Sequence, residues 1–196
     1  MKEFIYLFLC LLFTLTVNAQ FVRNDEGRLI PYSMSAKYKN IINASTVNTC
    51  LLKSYNNDSL YIAHNKQNTK REAKIFGDAK IAGISIDTLI NLKSAASRYK
   101  IDEGTVWMYR IESRTAKRLA ITINPLVIPH GAYLSVFPKK EELDTMDPKI
   151  YFKKDIVGSS FFKYIHGNQL YIEYFEPNNI DKKASINISR IDYIFL

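Results

Sequence analysis

At 196 residues the chain is one domain's worth of sequence. Its formal net charge of +8 arises from 27 Lys and Arg against 19 Asp and Glu, but no nucleic-acid-binding motif accompanies the excess, which sets nucleic acid aside as a partner. The basic residues come in short groups with acids beside them, such as Lys139 and Lys140 before Glu141 and Glu142, or Lys153 and Lys154 before Asp155, so they read as solvated surface or as a weak attraction to anionic envelope polysaccharide or lipid.

Lys2 is followed by an apolar run over residues 4–17, too short to span a bilayer, and then by Val17, Asn18 and Ala19 at the positions a signal peptidase reads. Residues 1–19 are therefore expected to be a signal peptide cut after Ala19, the alternative being a buried helix or a membrane anchor. Leu9 precedes Cys10 where a lipoprotein signal needs a small residue, which disfavours a lipid anchor. Cleavage removes Lys2 and Glu3 together, so the net charge is unchanged, and leaves Cys50 as the single cysteine. That excludes an intramolecular disulfide and makes Cys50 a small buried hydrophobe or one half of an intermolecular bridge. The expected location is secreted or periplasmic, with no stable membrane insertion after cleavage.

Residues 20–77 lack regular periodicity and form an irregular lead-in of short strands or a frayed helix, with residues 28–32 able to pair as an edge strand. The domain proper is expected over residues 78–196. Residues 80–89 alternate, with Ile84 and Ile86 on one face, and give the first strand; residues 92–99 contain Ala95 and Ala96 and make one helical turn. Trp107, Tyr109 and Ile111 then alternate with Met108, Arg110 and Glu112, and Leu119, Ile121 and Ile123 with Ala120, Thr122 and Asn124. The short polar link 113–117 suggests a hairpin, with these two strands as antiparallel neighbours. Pro129 and Gly131 predict a turn with Pro in its second and Gly in its fourth position. It leads into a strand carrying Leu134 and Val136 on one face and Tyr133 and Phe137 on the other.

Residues 150–152 and 160–165 are short strands. His166, Gly167 and Asn168 form a tight turn into residues 169–176, where Leu170, Ile172 and Tyr174 oppose Tyr171, Glu173 and Phe175. The last strand, over residues 184–195, loses its alternation near Ser189 and Arg190, as a β-bulge would cause. About eight short strands with no long helix between them predict an all-β, two-layer antiparallel sandwich of jelly-roll type. Trp107, Tyr109, Ile111, Leu119, Ile121, Ile123, Leu134, Val136, Leu170, Ile172 and Tyr174 would fill its core. Tyr133, Phe137, Tyr171 and Phe175 lie on the opposite faces and are a candidate ligand surface, unless a second sheet covers them too.

The spacing of Gly104, Val106, Trp107, Ile111, Ser113, Ala116 and Leu119, then Ile128, Pro129, Gly131, Ala132, Leu134 and Val136, resembles the non-catalytic N-terminal region of secreted lysyl endopeptidase-like, trypsin-like serine peptidases of Bacteroidetes-type bacteria. A second block, Gly167, Leu170, Ile172, Glu173, Tyr174, Glu176 and Pro177, resembles the next signature of that region, and the likeness covers residues 76–177. The resemblance implies a pro-region or accessory module. The family's active-site residues would follow the region represented by this chain, so none can be carried over.

The residues themselves offer no catalytic or metal constellation, and no cofactor motif. Gly158, Ser159 and Ser160 match neither the Gly-Asp-Ser-Gly-Gly setting of a trypsin-like nucleophile nor a nucleophile elbow. His64, His130 and His166 are far apart, and no pair sits at metal-ligand spacing. Glu173 and Glu176 fall on opposite faces of a strand, which does not aim an acid and a base at one substrate. Two function classes follow. One is a secreted accessory or pro-domain-like module, or a remnant of a peptidase gene, whose partner is a peptidase or another envelope protein. The other is a glycan-binding sandwich using exposed aromatics.

Overall fold

The structure, a computed structural model, describes residues 29–43, 46–68, 82–139 and 150–195; the expected signal peptide, most of the charged stretch before residue 78 and the acidic loop after Lys139 lie outside them. Among the described residues ten strands follow one another: β1 (Asn48–Leu51), β2 (Gly83–Asn91), β3 (Ser97–Ile101), β4 (Gly104–Glu112), β5 (Arg118–Ile128), β6 (Tyr133–Pro138), β7 (Tyr151–Lys153), β8 (Ile156–His166), β9 (Gln169–Pro177) and β10 (Ser185–Ile194). Helix α1 (Asn57–Asn68) follows β1, and the single turn α2 (Leu92–Ala95) follows β2, with the Asn91 side chain accepting from the Ser94 N–H as its cap.

One sheet has the order β2-β10-β5-β8 and the other β1-β4-β9-β6-β7, with β3 also on β4. Setting β1 and β3 aside, the remaining eight strands interleave as first-eighth-third-sixth in one layer and second-seventh-fourth-fifth in the other. That is the double Greek key of a jelly roll, so the chain is an all-β sandwich. β3 and β1 share the outer edge of β4: β3 pairs antiparallel with its first half, and β1 pairs parallel with its second, from Asn48 opposite Tyr109 to Leu51 opposite Glu112.

This topology corrects one expectation. β4 and β5 are not hairpin partners: β4 bonds β9, β3 and β1, whereas β5 bonds β10 and β8. Two strands with one apolar face each can pair edge to edge or stack face to face, and a short link spans the roughly 10 Å between layers equally well. The link's backbone groups bond other crossings of the sandwich, Ser113 N–H to the Asn168 carbonyl and Lys117 N–H to that of Ile194.

The turn after β5 is shifted by one residue from the expected register. Ala132 N–H donates to the Pro129 carbonyl, which makes Pro129 the first residue of the turn and Gly131, at φ 82°, the third. A positive φ at the third position is what a type II turn asks of glycine. The bulge expected near Ser189 and Arg190 is present, as a register shift between Ile188 and Arg190 against both neighbours of β10. Pro125 also falls at a shift, between Ile123 and Leu126 opposite β8, where no ladder donor is lost.

The eleven residues assigned to the core are all buried between the layers, joined there by Phe162, Ile186, Ile188, Ile191 and Tyr193. A second apolar cluster lies on the outside of the six-stranded sheet, where Val106, Met108, Tyr133, Phe137, Tyr171 and Phe175 meet Tyr32, Tyr38, Ile42 and Val47. Much of the lead-in is thus a strap across the sheet. Of the edge strand considered for residues 28–32, Arg28 lies outside the described residues, Leu29 makes an isolated β-bridge, and Tyr32 opens a 3-10 turn over residues 32–34.

Gly104 opens β4 where the end of β9 passes closest. A Cβ there would stand 2.2 Å from the Glu176 carbonyl oxygen and 2.8 Å from the Pro177 Cα, both backbone atoms that cannot swing away. Gly104→Ala is expected to cost about 1–3 kcal/mol through overpacking, read as a lower denaturant midpoint; an unchanged midpoint would show that β9 gives way freely at this point.

Candidate functional site

The four aromatics of the candidate ligand surface do not form an open platform. Tyr133, Phe137, Tyr171 and Phe175 are each no more than 6% exposed, so the expectation of a ligand surface there is corrected. The cover is the strap and not a second sheet. Tyr32 packs with its ring centroid 4.6 Å from Phe175 and 5.9 Å from Tyr133, and Phe137 stacks on Tyr171 at 5.8 Å.

What fixes the strap is an acid. Alternation along β9 puts Glu173 on the same outer face as Tyr171 and Phe175, and there its carboxylate accepts from the Tyr32 N–H at 2.6 Å and the Ser33 N–H at 2.9 Å. Burial raises the carboxyl pKa above its ordinary value, against the opposing pull of the Ser33 and Tyr32 donors and the Tyr133 hydroxyl. The same burial, with Glu173 beside it, drives the Tyr133 phenol well up. Farther along, Lys37 Nζ lies 2.7 Å from Glu103, and the Tyr38 hydroxyl donates to the same carboxylate. With its face sealed, Glu173 is a fastening and is not presented to a ligand.

The open concave feature lies at the β3 edge. In β3, Tyr99 and Ile101 turn toward the strap cluster, so alternation sends Arg98 and Lys100 to the inner face, the side of Trp107, which Arg98 opposes in register. The result is a cleft of about 650 Å³ lined by Arg98, Lys100, Trp107 and Glu176, with Thr105 and Asn178 among its other walls. Trp107 forms part of its floor, 6% exposed, with Lys93 Nζ 4.4 Å from the ring centroid and the Arg98 guanidinium at 5.7 Å. Such geometry attracts cations to the negative face of the indole. Glu176 is the acid of the lining; its Oε2 accepts from Lys93 Nζ at 2.7 Å and from the Tyr174 hydroxyl at 2.9 Å. The Tyr174 phenol is raised far above its ordinary value by burial and by that neighbouring carboxylate.

The residues of catalytic type are dispersed. His130 Nδ1 is 3.1 Å from Asp155 Oδ1 on the exposed surface, His64 lies on α1 against Phe195, and His166 is exposed at the end of β8. Gly158, Ser159 and Ser160 are inside β8. Glu173 and Glu176 face opposite ways, to the strap and to the cleft. Among the described residues no three of His, Cys, Asp or Glu are grouped to hold a metal ion, and no helix is long and apolar enough to cross a membrane. Cys50 is half-buried, not fully enclosed, and burial raises its thiol pKa while the Tyr109 hydroxyl opposes the rise.

No protein-family model matches the chain, and no curated protein matches it.

Two features escaped sequence reasoning. The cleft was signalled by the alternation Arg98, Tyr99, Lys100, Ile101, a strand pattern that Ala95 and Ala96 just before it disguise as the end of a helical turn. The fastening was signalled by one acid, Glu173, in an otherwise aromatic row.

Proposed function

We propose that the chain is an exported, non-catalytic accessory module, related to the N-terminal region of trypsin-like, lysyl endopeptidase-like peptidases, which binds a protein partner by strand addition. The observation that carries this reading is the free edge of β8. This strand runs from Ile156 to His166 and, among the described residues, bonds only β5. Val157 on it is 82% exposed and Phe161 43% exposed, the latter with Tyr164 packed edge-on at 6.1 Å. A long edge with unpaired backbone groups and outward apolar side chains is a template for another strand, whose main chain supplies affinity and whose alternate side chains supply specificity. The two blocks that resemble the peptidase region supply the class of partner.

The test is calorimetric titration of the purified chain with the purified catalytic region of a secreted trypsin-like, lysyl endopeptidase-like peptidase. Binding is expected, with Val157→Lys and Phe161→Lys each weakening it about tenfold, equivalent to about 1.4 kcal/mol. Absence of binding, or binding indifferent to both variants, would remove this reading.

The second reading, a glycan-binding sandwich, loses the four buried aromatics but acquires the cleft beside Trp107.

A further inference from the structure

We infer that the cleft at the β3 edge is a receptor for an acidic saccharide, in which Arg98 and Lys100 take the carboxylate of a uronate ring. This rests on the glycan-binding reading and is independent of the β8 edge. The inner face of a sandwich sheet is normally filled with apolar side chains from both layers. On β3 that face carries Arg98 and Lys100 instead, both exposed. Neither has an acidic partner among the described residues, because Glu176 is engaged by Lys93 and Tyr174. Two cations thus stand unneutralised at the rim of a concavity, where low-dielectric walls strengthen their pull on an anion.

The shape and the remaining lining narrow the ligand. About 650 Å³ suits one or two sugar rings and lies within the ordinary range of small-ligand sites. Thr105 and Asn178 offer neutral hydrogen-bonding groups for ring hydroxyls, while Pro177 and Ile180 offer apolar surface for a ring face. The indole does not serve as a sugar platform, since Lys93 covers it; it holds the cations in place. A bounded cleft of this size suits a compact ring more than an extended peptide. A planar guanidinium beside an ammonium suits a carboxylate, which Arg can grip with two parallel hydrogen bonds.

The experiment titrates the full chain, by calorimetry, with digalacturonate, with its fully methyl-esterified form and with inorganic phosphate. The same titrations follow for Arg98→Ala and Lys100→Ala. Digalacturonate is expected to bind, more weakly as salt rises. The ester, which keeps the rings and loses the charge, should bind at least about tenfold more weakly, as should digalacturonate to each variant. Both substitutions are at exposed positions, so Lys100→Ala should keep the wild-type melting midpoint and Arg98→Ala should lower it only slightly, through loss of its contact with the indole; the midpoints thus separate lost binding from lost folding. Equal binding of the ester would show that the carboxylate is not read. Phosphate binding as tightly as digalacturonate would reduce the cleft to a general anion sink, and displacement of digalacturonate by an acidic peptide would assign it to protein recognition. Each of these results, or no binding at all, overturns the inference, and none bears on docking at β8.

Discussion

Trp107→Ala is expected to cost the domain about 3–5 kcal/mol, a large part of the roughly 5–15 kcal/mol that holds a typical domain folded. The indole sits on β4, a strand bonded on both sides, and faces Tyr174 in register across to β9 with ring centroids 5.5 Å apart. Its removal opens a cavity on the inner face of the sheet and withdraws the surface over which Lys93 and Arg98 are poised. Two effects then add: lost burial with the void it leaves, and the loss of the cation contacts, which contribute about 0.5–2 kcal/mol at such sites. Trp107→Phe separates them. It keeps an aromatic ring in place and should restore more than half of the lost stability, with the remainder reflecting the smaller ring and weaker cation attraction. Urea unfolding of the three proteins measures this. A wild-type midpoint in the alanine variant would contradict central burial of the indole.

The sandwich was legible because its inner faces obey a period of two. Leu119, Ile121 and Ile123 on β5, or Leu170, Ile172 and Tyr174 on β9, can bury together only on one side of an extended chain, and they do. The bulge in β10 was legible for the same reason: slipped alternation between Ile188 and Ile191 forces either an extra residue or a misdirected side chain, and the register shift is the extra residue. Pairing was not legible in this way. Alternation states which side of a strand is apolar and is silent on which strand lies beside it, so β4 and β5 could be taken for a hairpin although they lie in opposite layers.

The outer face of the six-stranded sheet was the other blind point. Tyr133, Phe137, Tyr171 and Phe175 form an aromatic row that is equally suited to a ligand and to a cover. The cover lies about 90 to 140 residues earlier, in the separation Glu173 keeps from Tyr32 (|i−j| = 141) and in shorter ones. Tyr32, Tyr38, Ile42 and Val47 follow no strand or helix period, because an irregular strap meets the sheet at unequal intervals. Local pattern cannot show such a segment. The cleft was hidden differently: Arg98 and Lys100 look like surface charge until register with β4 places them on the interior side.

Removal of Glu173 tests the strap. In Glu173→Ala the N–H groups of Tyr32 and Ser33 lose their acceptor beneath a closed apolar layer, and each orphaned donor costs about 1–3 kcal/mol, so a combined loss of about 2–6 kcal/mol is expected. The strap should lift more readily, exposing Tyr133 and Phe175, and the variant should bind a hydrophobic dye and be cut by protease within residues 29–47 while the sandwich persists. A wild-type urea midpoint together with unchanged protease resistance would show that Glu173 does not hold the strap. The acid also gives this site a pH dependence of definite sign. Burial raises the folded-state carboxyl above the ordinary 4.5, so between that value and the raised one the folded protein keeps a proton that the unfolded chain releases. Stability from this group is therefore fully present below about pH 4.5, falls as pH rises through the window, and levels off above the raised value. The nearby phenols of Tyr32 and Tyr133 are themselves shifted upward, so they stay protonated throughout and leave the carboxyl as the titrating group of the cluster. Glu173→Gln carries no titrating group at this position, and other titrations cancel in the difference between the two proteins. Unfolding free energies measured from about pH 4 to about pH 10, a span that runs past the values of about 8–9 that buried Glu residues reach, should show wild type losing its advantage over the glutamine variant as pH rises. A constant difference would mean that the folded carboxyl titrates at its ordinary value, with the two backbone donors offsetting the whole cost of burial.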